Sequence, residues 1–307
     1  MAVPSFDAVV SYHHNIHTCG VARFNRHFAD HLGVPMVRID ELVTRKITNP
    51  IVSVKQSEMR NQDLRPFLEA LSRVDGYALV LHDYNGQEFE RELLKNADRV
   101  MALNAQLADS VRKSRPDVLV GFAVASYMEK QQIRTPELRL ITFGMAHKIQ
   151  SKGYQRVGQL LAADGRDYVL EISSALHEGT EFDDSFFTVG DEISECFKGN
   201  VEFLGFLADN EVARRLTSAD AMLAFFPAGV RENNTSVIGA MNVGLPVITN
   251  VDDWSPSWAR HGQTMFDVNR LSEFPSLGEL ERVGEAGRRA VAHLTFSGLF
   301  EILTSKW

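Results

Sequence analysis

The polar segment Arg-Glu-Asn-Asn-Thr-Ser at 231–236 lies between two apolar runs, Ala221–Phe226 and Val247–Ile248. Both runs are typical of strands that are buried on both faces of a parallel sheet. The polar segment therefore stands after a strand and before a helix, where free backbone N–H groups and the helix dipole attract anions. The candidates for binding a ligand here are Glu232, Asn234, Thr235 and Ser236, and the first N–H groups of the helix can receive a phosphate oxygen. We expect Thr235 or Ser236 to cap the helix; an ordinary N-cap without a ligand is the alternative.

A second segment, Phe143–Gly153, supplies cationic side chains after a predicted strand at Leu138–Phe143. It contains Lys148 and Lys152, whose ammonium groups would neutralise a bound anion, and His147, which would do so when protonated. Two lysines near the end of a strand usually belong to a solvated loop. The binding interpretation therefore depends on the polar segment farther along the chain.

His82 follows Tyr77–Leu81, whose unbroken apolar sequence predicts a buried strand. A neutral imidazole at the end of such a strand can donate one hydrogen bond and accept another. A histidine in a loop or in the core is the alternative. The turn at 13–20 holds three more histidines but no carboxylate, so we do not expect a metal site there.

Strand-like and helix-like patterns alternate along nearly the whole chain, which predicts an α/β fold with parallel sheets. Its 307 residues allow one large domain or two of ordinary size. The pattern loosens between Gly121 and Pro136, and the Thr135–Pro136 step favours a break there. The sequence therefore predicts one domain over 1–130 and a second over 131–307.

Composition excludes several classes of protein. The formal net charge of −8 argues against a general nucleic-acid binder. Two cysteines imply no disulfide framework, and a reducing cytoplasm is the expected compartment. The N-terminus does not predict a signal peptide, and no apolar stretch approaches the roughly 18–20 residues that span a bilayer. A contact with the inner face of the membrane stays open, because a local basic patch is compatible with this composition.

The order of elements in Phe203–Asn250 resembles the nucleotide-sugar-binding half of GT-B-fold glycosyltransferases, particularly the large retaining family of bacterial polysaccharide and glycolipid synthesis (family 4-like). Gly239–Pro246, which reads Gly-Ala-Met-Asn-Val-Gly-Leu-Pro, is similar to the family's Glu-Ala-Met-Ala-x-Gly-x-Pro. The resemblance implies two Rossmann-like domains whose parallel sheets face each other across a cleft. It also implies that the last helix crosses back to the first domain.

The resemblance also assigns roles to individual residues. Lys152 falls on a Lys that binds the donor diphosphate, and His147 falls on the partner Arg, with Lys148 beside it. His82 falls near the donor sugar, where it would hydrogen-bond a sugar hydroxyl or the reacting phosphate oxygen. Gly20 is the remaining glycine of a loop that is usually Gly-rich. The chain departs from the family pattern at Arg231 and at Gly239, since the family has a Glu at each of these two positions.

These residues imply a glycosyltransferase that moves a sugar from a nucleoside diphosphate sugar to a glycan, lipid or small-molecule acceptor. The resemblance implies retention of configuration, no metal and no further cofactor, with His82 and Lys152 as catalytic residues. A nucleotide-sugar epimerase or a phosphorylase is a nearby alternative. A catalytically silent glycosyltransferase-like subunit that acts through a protein partner is an alternative from another class.

Overall fold

The computed structural model describes residues 5–17, 19–125, 137–145, 151–175 and 184–305. The chain divides into two compact units, which we call unit 1 (Met1–Val124 with Leu294–Trp307) and unit 2 (Ala125–His293). The junction that the sequence predicts, at 130/131, lies outside the described residues. The last residues of the chain belong to the first unit.

Unit 1 is built on a six-stranded parallel sheet in the order β2-β1-β3-β4-β5-β6. Its strands are β1 (Ala8–Ser11), β2 (Met36–Val37), β3 (Pro50–Val54), β4 (Ala78–Leu81), β5 (Arg99–Ala102) and β6 (Leu119–Val120). Its helices are α1 (Gly20–Leu32), α2 (Glu41–Thr44), α3 (Asn61–Leu71), α4 (Glu88–Asn96), α5 (Ala105–Arg112) and α11 (Phe296–Thr304). The strand order reverses between β1 and β3. Open α/β sheets bind ligands outside the carboxyl ends of the strands at such a point.

Helix α11 completes the core of unit 1. Phe296 stacks on Phe28 of α1 with ring centroids 5.7 Å apart, and its ring lies 5.6 Å from that of Phe24. Leu299 is fully buried. Arg99 of β5 donates a 2.6 Å hydrogen bond to the carbonyl oxygen of Ser305. The C-terminal segment is therefore a structural part of unit 1, although it follows unit 2 in sequence.

Unit 2 has its own six-stranded parallel sheet in the order β12-β11-β10-β7-β8-β9. Its strands are β7 (Leu138–Met145), β8 (Tyr168–Ala175), β9 (Val201–Gly205), β10 (Ala221–Ala224), β11 (Val247–Thr249) and β12 (Phe266–Asp267). Its helices are α6 (Ser151–Asp164), α7 (Asp184–Cys196), α8 (Asp209–Ser218), α9 (Thr235–Asn242) and α10 (Leu277–Val291). Here the strand order reverses between β7 and β10.

These two sheets confirm the predicted α/β class. Strands β10 and β11 are buried throughout, as their apolar sequences predict. The stretch before β9, which reads as irregular and acidic in the sequence, contains the 13-residue helix α7. None of the helices in the described part of the chain is long and apolar enough to cross a bilayer.

Candidate functional site

The first turn of α6 is held against the carboxyl end of β10 in unit 2. Tyr154 is almost fully buried, and its hydroxyl lies 2.8 Å from Oγ1 of Thr142 on β7. Thr142 in turn donates to the carbonyl oxygen of Leu223 on β10. The ring of Tyr154 meets that of Phe225 edge to face at 4.9 Å. The start of α6 is thus fixed at the point where the strand order of the sheet reverses.

Gly153 allows this close approach. A Cβ built on Gly153 would lie 2.1 Å from Cγ of Phe225, which no real side chain tolerates. Lys152 precedes it as the second residue of α6, and its side chain is exposed. The structure therefore brings Lys152 to the carboxyl edge of the sheet, in the first turn of a helix. His147 and Lys148 lie outside the described residues.

The loop after β10 is fastened to the loop after β11. Asn250 accepts a 2.8 Å hydrogen bond from the backbone N–H of Phe226 through Oδ1 and donates a 2.6 Å bond to the carbonyl oxygen of Phe226 through Nδ2. The backbone N–H of Val230 donates to the carbonyl oxygen of Asn250 at 3.0 Å. These bonds satisfy loop backbone groups that would otherwise need solvent.

Arg231 makes a bidentate ion pair with Asp252. The two guanidinium nitrogens Nη1 and Nη2 donate to Oδ1 and Oδ2, each at 2.7 Å, and Nη1 also donates to the carbonyl oxygen of Val230. The Arg231 hydrogen bonds hold the pKa of the Asp252 carboxyl below its usual value. The Arg231 side chain is 8% exposed. The charge of Arg231 is therefore committed to fixing the loop.

Helix α9 begins one or two residues earlier than a cap at Thr235 or Ser236 implies. Asn234 occupies the N-cap position, and Thr235 and Ser236 are the first two helical residues. The side chain of Asn234 accepts a 2.6 Å hydrogen bond from the backbone N–H of Arg231, and its own backbone N–H donates to the Arg231 carbonyl oxygen at 3.1 Å. The expectation that Thr235 or Ser236 caps α9 is wrong, because the turn 231–234 is closed by Asn234. The backbone N–H of Thr235 donates to the carbonyl oxygen of Asn233 at 3.1 Å. The first turn therefore offers a ligand the N–H of Ser236, which has no intrahelical acceptor.

Two further positions of the family pattern lie in this region. Glu232 is partly buried in the turn that precedes α9. Gly239 is buried in α9, and a Cβ there would meet the Cβ of Ala125 at 3.5 Å, which is ordinary contact. Alanine would therefore fit at 239.

The corresponding edge of unit 1 holds a buried polar network around Asn25 of α1. Asn25 is fully buried. Its Nδ2 donates to Oγ of Ser11 on β1 at 2.9 Å and to the carbonyl oxygen of Ser53 on β3 at 3.1 Å. One side chain thus ties α1 to both strands at which the strand order reverses.

His82 joins this network at the end of β4. Its Nε2 lies 3.0 Å from Oγ of Ser53, and its ring meets that of Phe24 edge to face at 5.2 Å. Burial lowers the pKa of His82 to about 4, with Lys55 acting in the same direction and Glu58 in the opposite one. The imidazole is therefore neutral at physiological pH. The neighbouring Asp83 caps the 3-10 turn at 56–58, since its carboxylate accepts from the backbone N–H groups of Gln56 and Ser57.

The start of α1 differs from a glycine-rich phosphate loop. Gly20 is exposed, and a Cβ there would meet nothing within 4 Å, so neither space nor conformation requires glycine. The N-cap is Cys19, whose Sγ accepts from the backbone N–H of Ala22 at 3.4 Å and lies 3.6 Å from a carboxylate oxygen of Glu58. Glu58 also accepts a 2.6 Å bond from Lys55. Sequence reasoning missed this cluster because its members come from two separate loops.

No group of three or more metal-ligating side chains is arranged to hold a metal ion within the described residues. Which of the candidate residues bind a ligand stays a prediction, although the structure places Lys152, Glu232, Asn234, Thr235 and Ser236 in loops or first turns at one sheet edge. His82 lies at the carboxyl edge of the other sheet.

The structure is similar to that of Anabaena Alr3699/HepE in complex with UDP and glucose, with a TM-score of 0.68, 11% identity, and coverage of 96% of this chain and 97% of that chain. It is also similar to a glycosyltransferase from Rickettsia africae, with a TM-score of 0.62, 9% identity and coverage of 97% of each chain. Sucrose-phosphate synthase from Thermosynechococcus elongatus gives a TM-score of 0.62 at 12% identity, over 85% of this chain and 73% of that chain.

The chain has the GT-B fold. Its two parallel sheets fit the two Rossmann-like domains of that fold. No protein-family model matches the sequence. No curated protein matches it either. At these identities the GT-B likeness establishes architecture, and function has to be argued from the site.

Proposed function

We propose that this protein is a retaining glycosyltransferase that moves a sugar from a nucleoside diphosphate sugar to a glycan, lipid or small-molecule acceptor without a metal ion. The main support is the edge of the unit 2 sheet at β7 and β10. There the first turn of α6 carries the exposed Lys152, and the first turn of α9 presents the N–H group of Ser236. A diphosphate is bound well by a cation together with a helix N-terminus.

In the proposed reaction, Lys152, the backbone N–H of Ser236 and the hydroxyl of Thr235 bind the diphosphate and stabilise the charge that develops as it leaves. The bond between the anomeric carbon and the phosphate oxygen breaks, and the acceptor oxygen bonds to the same face of that carbon. The acceptor proton passes to the leaving phosphate oxygen, so no carboxylate pair of the glycosidase type is required. His82 hydrogen-bonds an oxygen of the sugar or phosphate.

The solved structures with similar folds support the choice of ligand. Alr3699/HepE was crystallised with UDP and glucose and also with UDP-glucose. We therefore propose a UDP-sugar as the first donor to test.

A second candidate is a catalytically silent subunit that acts through a protein partner. Two carboxylates of the family pattern are replaced here, one by Arg231, which is bound to Asp252, and the other by the buried Gly239. Neither replacement offers a carboxylate to the ligand.

Calorimetric titration of the purified protein with UDP, GDP, ADP and dTDP, with and without EDTA, separates these two functions. We expect saturable binding of one nucleotide that EDTA does not change. The nucleotide that binds then selects the sugar donors for transfer assays. Binding of none of the four would contradict the transferase and favour the silent subunit.

A further inference from the structure

Ser53 and His82 form a hydrogen bond whose direction is fixed by burial. Oγ of Ser53 lies 3.0 Å from Nε2 of His82. Ser53 is fully buried on β3. The backbone N–H of His82 donates to the carbonyl oxygen of Val54 at 3.2 Å, which extends the pairing of β3 and β4 by one residue. Both partners are therefore held by the ends of neighbouring strands.

The hydroxyl hydrogen of Ser53 needs an acceptor, because buried polar groups are nearly always hydrogen-bonded. Within the described part of the chain, Nε2 of His82 is the acceptor in reach of Ser53 Oγ. The backbone carbonyl oxygen of Ser53 is engaged separately by Asn25. If Nε2 carried a proton, both partners would present hydrogens and the hydroxyl would lose its acceptor. Ser53 therefore donates and Nε2 accepts.

A neutral imidazole that accepts through one ring nitrogen carries its proton on the other. The pKa of His82 is lowered by burial, so the ring stays neutral near pH 7. Phe24 packs edge to face against the ring and restricts its rotation. Nδ1 is then a protonated nitrogen in a ring of fixed orientation, and Ser53 does not engage it.

We propose that Ser53 is a positioning residue that holds His82 in the Nδ1–H tautomer, so that His82 donates a hydrogen bond to an oxygen of the bound sugar or phosphate. In this state His82 does not accept a proton from the acceptor through Nδ1. The identity of the ligand rests on the proposed function, whereas the tautomer is a property of the protein alone.

Nitrogen-15 NMR of the full chain tests the tautomer without any ligand. Long-range proton–nitrogen correlations at neutral pH distinguish the two ring nitrogens, and the signals of His82 are those lost in His82→Gln. We expect Nδ1 to be protonated and Nε2 to be unprotonated. A protonated Nε2 in the native protein would overturn the proposal, and this readout needs no variant of Ser53 to fold.

Ser53→Ala should shift His82 toward the Nε2–H tautomer, because the donor to Nε2 is gone. Ser11 offers a matched control, since it is buried and pairs with Ser53 in the register of β1 and β3. Its hydroxyl donates to the carbonyl oxygen of His13 and accepts from Nδ2 of Asn25, whereas Ser53 Oγ is the group bonded to His82. Ser11→Ala should leave the His82 tautomer unchanged. An unchanged tautomer in a folded Ser53→Ala protein would count against the role of Ser53.

Transfer assays with a UDP-sugar then test the direction of the hydrogen bond to the ligand. The amide of His82→Asn places an N–H near the position of Nδ1, and that of His82→Gln places one near Nε2. We expect kcat/KM to be about tenfold higher for His82→Asn than for His82→Gln, the effect of roughly one hydrogen bond, with unchanged UDP affinity. Equal or reversed values would contradict donation through Nδ1. If no nucleotide binds at all, the proposed function fails while the NMR result still decides the tautomer.

Discussion

The backbone of Gly153 lies directly against the ring of Phe225, with room for a hydrogen atom and not for a methyl group. This relationship joins the start of α6 to the first residue after β10. It explains why the sequence Lys152-Gly153 matters as a pair. The glycine allows the helix to approach, and the lysine before it is thereby placed at the sheet edge.

Gly153→Ala should move the start of α6 away from β10. We expect a loss of about 1–3 kcal/mol in the free energy of unfolding, typical of overpacking, and a clear loss of UDP affinity. Gly158→Ala is the control, because its Cβ would lie 2.5 Å from the carbonyl oxygen of Cys196, at the end of α7. Denaturant unfolding and calorimetry should show similar destabilisation in both variants and weakened UDP binding only in Gly153→Ala.

Lys152→Ala should remove most of the diphosphate affinity and leave the fold intact, because the side chain is exposed. Loss of one charge-assisted hydrogen bond corresponds to roughly 1.5–3 kcal/mol, or about 10- to 150-fold in Kd. Lys113→Ala, at an exposed helix end in unit 1, controls for the change in net charge. Unchanged UDP affinity in Lys152→Ala would disprove the diphosphate role.

The Arg231–Asp252 pair should contribute measurably to stability. Asp252→Ala leaves a buried guanidinium without its carboxylate, and we expect a cost of about 2 kcal/mol, below the 3–5 kcal/mol of a fully buried pair because Asp252 is 37% exposed. Glu69→Ala breaks the exposed Arg65–Glu69 pair on α3 and should cost less than about 0.5 kcal/mol. Urea unfolding compares the free energies of unfolding of the two variants. Equal losses in both would mean that the Arg231–Asp252 pair is an ordinary surface contact.

His82 should make stability depend on pH in a defined direction. Its pKa is about 4 in the folded chain against an ordinary value of 6.5, so between these values the unfolded chain binds a proton that the folded chain does not. The contribution of His82 to the free energy of unfolding is therefore fully present above about pH 6.5. It falls by up to about 3 kcal/mol as the pH drops toward 4. Urea unfolding of the native protein and His82→Gln across this range should show the difference. If the free energy of unfolding depended on pH in the same way in both proteins, the predicted effect of His82 would be refuted.

Cys19 should be inert to alkylation in the folded protein. Burial raises the pKa of its thiol to about 11, and the nearby Glu58 acts in the same direction, so little thiolate exists at pH 8. Cys196 is only partly buried. Peptide mapping after iodoacetamide treatment should find Cys196 modified first and Cys19 modified only after unfolding. Equal labelling of both thiols in native protein would contradict the capping geometry.

The sequence predicts secondary-structure elements well when they are long, apolar and bounded by turn residues. The run Ala221–Phe226 contains β10, and Val247–Ile248 lies within β11, because buried parallel strands require apolar side chains on both faces. Lys152 and His82 stand after such strands in the sequence, but their roles come from the family resemblance and stay predictions.

Side-chain contacts between residues that are far apart in sequence could not be predicted from these local patterns. The partner of Arg231 is Asp252, 21 positions away, and only the folded loops bring them together. Cys19 caps α1 although a thiol is not among the favoured capping residues. The tie between Ser53 and His82 likewise depends on the pairing of β3 with β4.

The return of the chain to unit 1 at Leu294 affects the order in which the protein can fold during synthesis. Chains usually fold domain by domain from the N-terminus as they leave the ribosome. Here Phe24 and Phe28 have no Phe296 to pack against until residue 296 has left the ribosome. Unit 2 is continuous in sequence and can complete its core first. A nascent chain that stops short of residue 294 would therefore expose the aromatic face of α1 to chaperones.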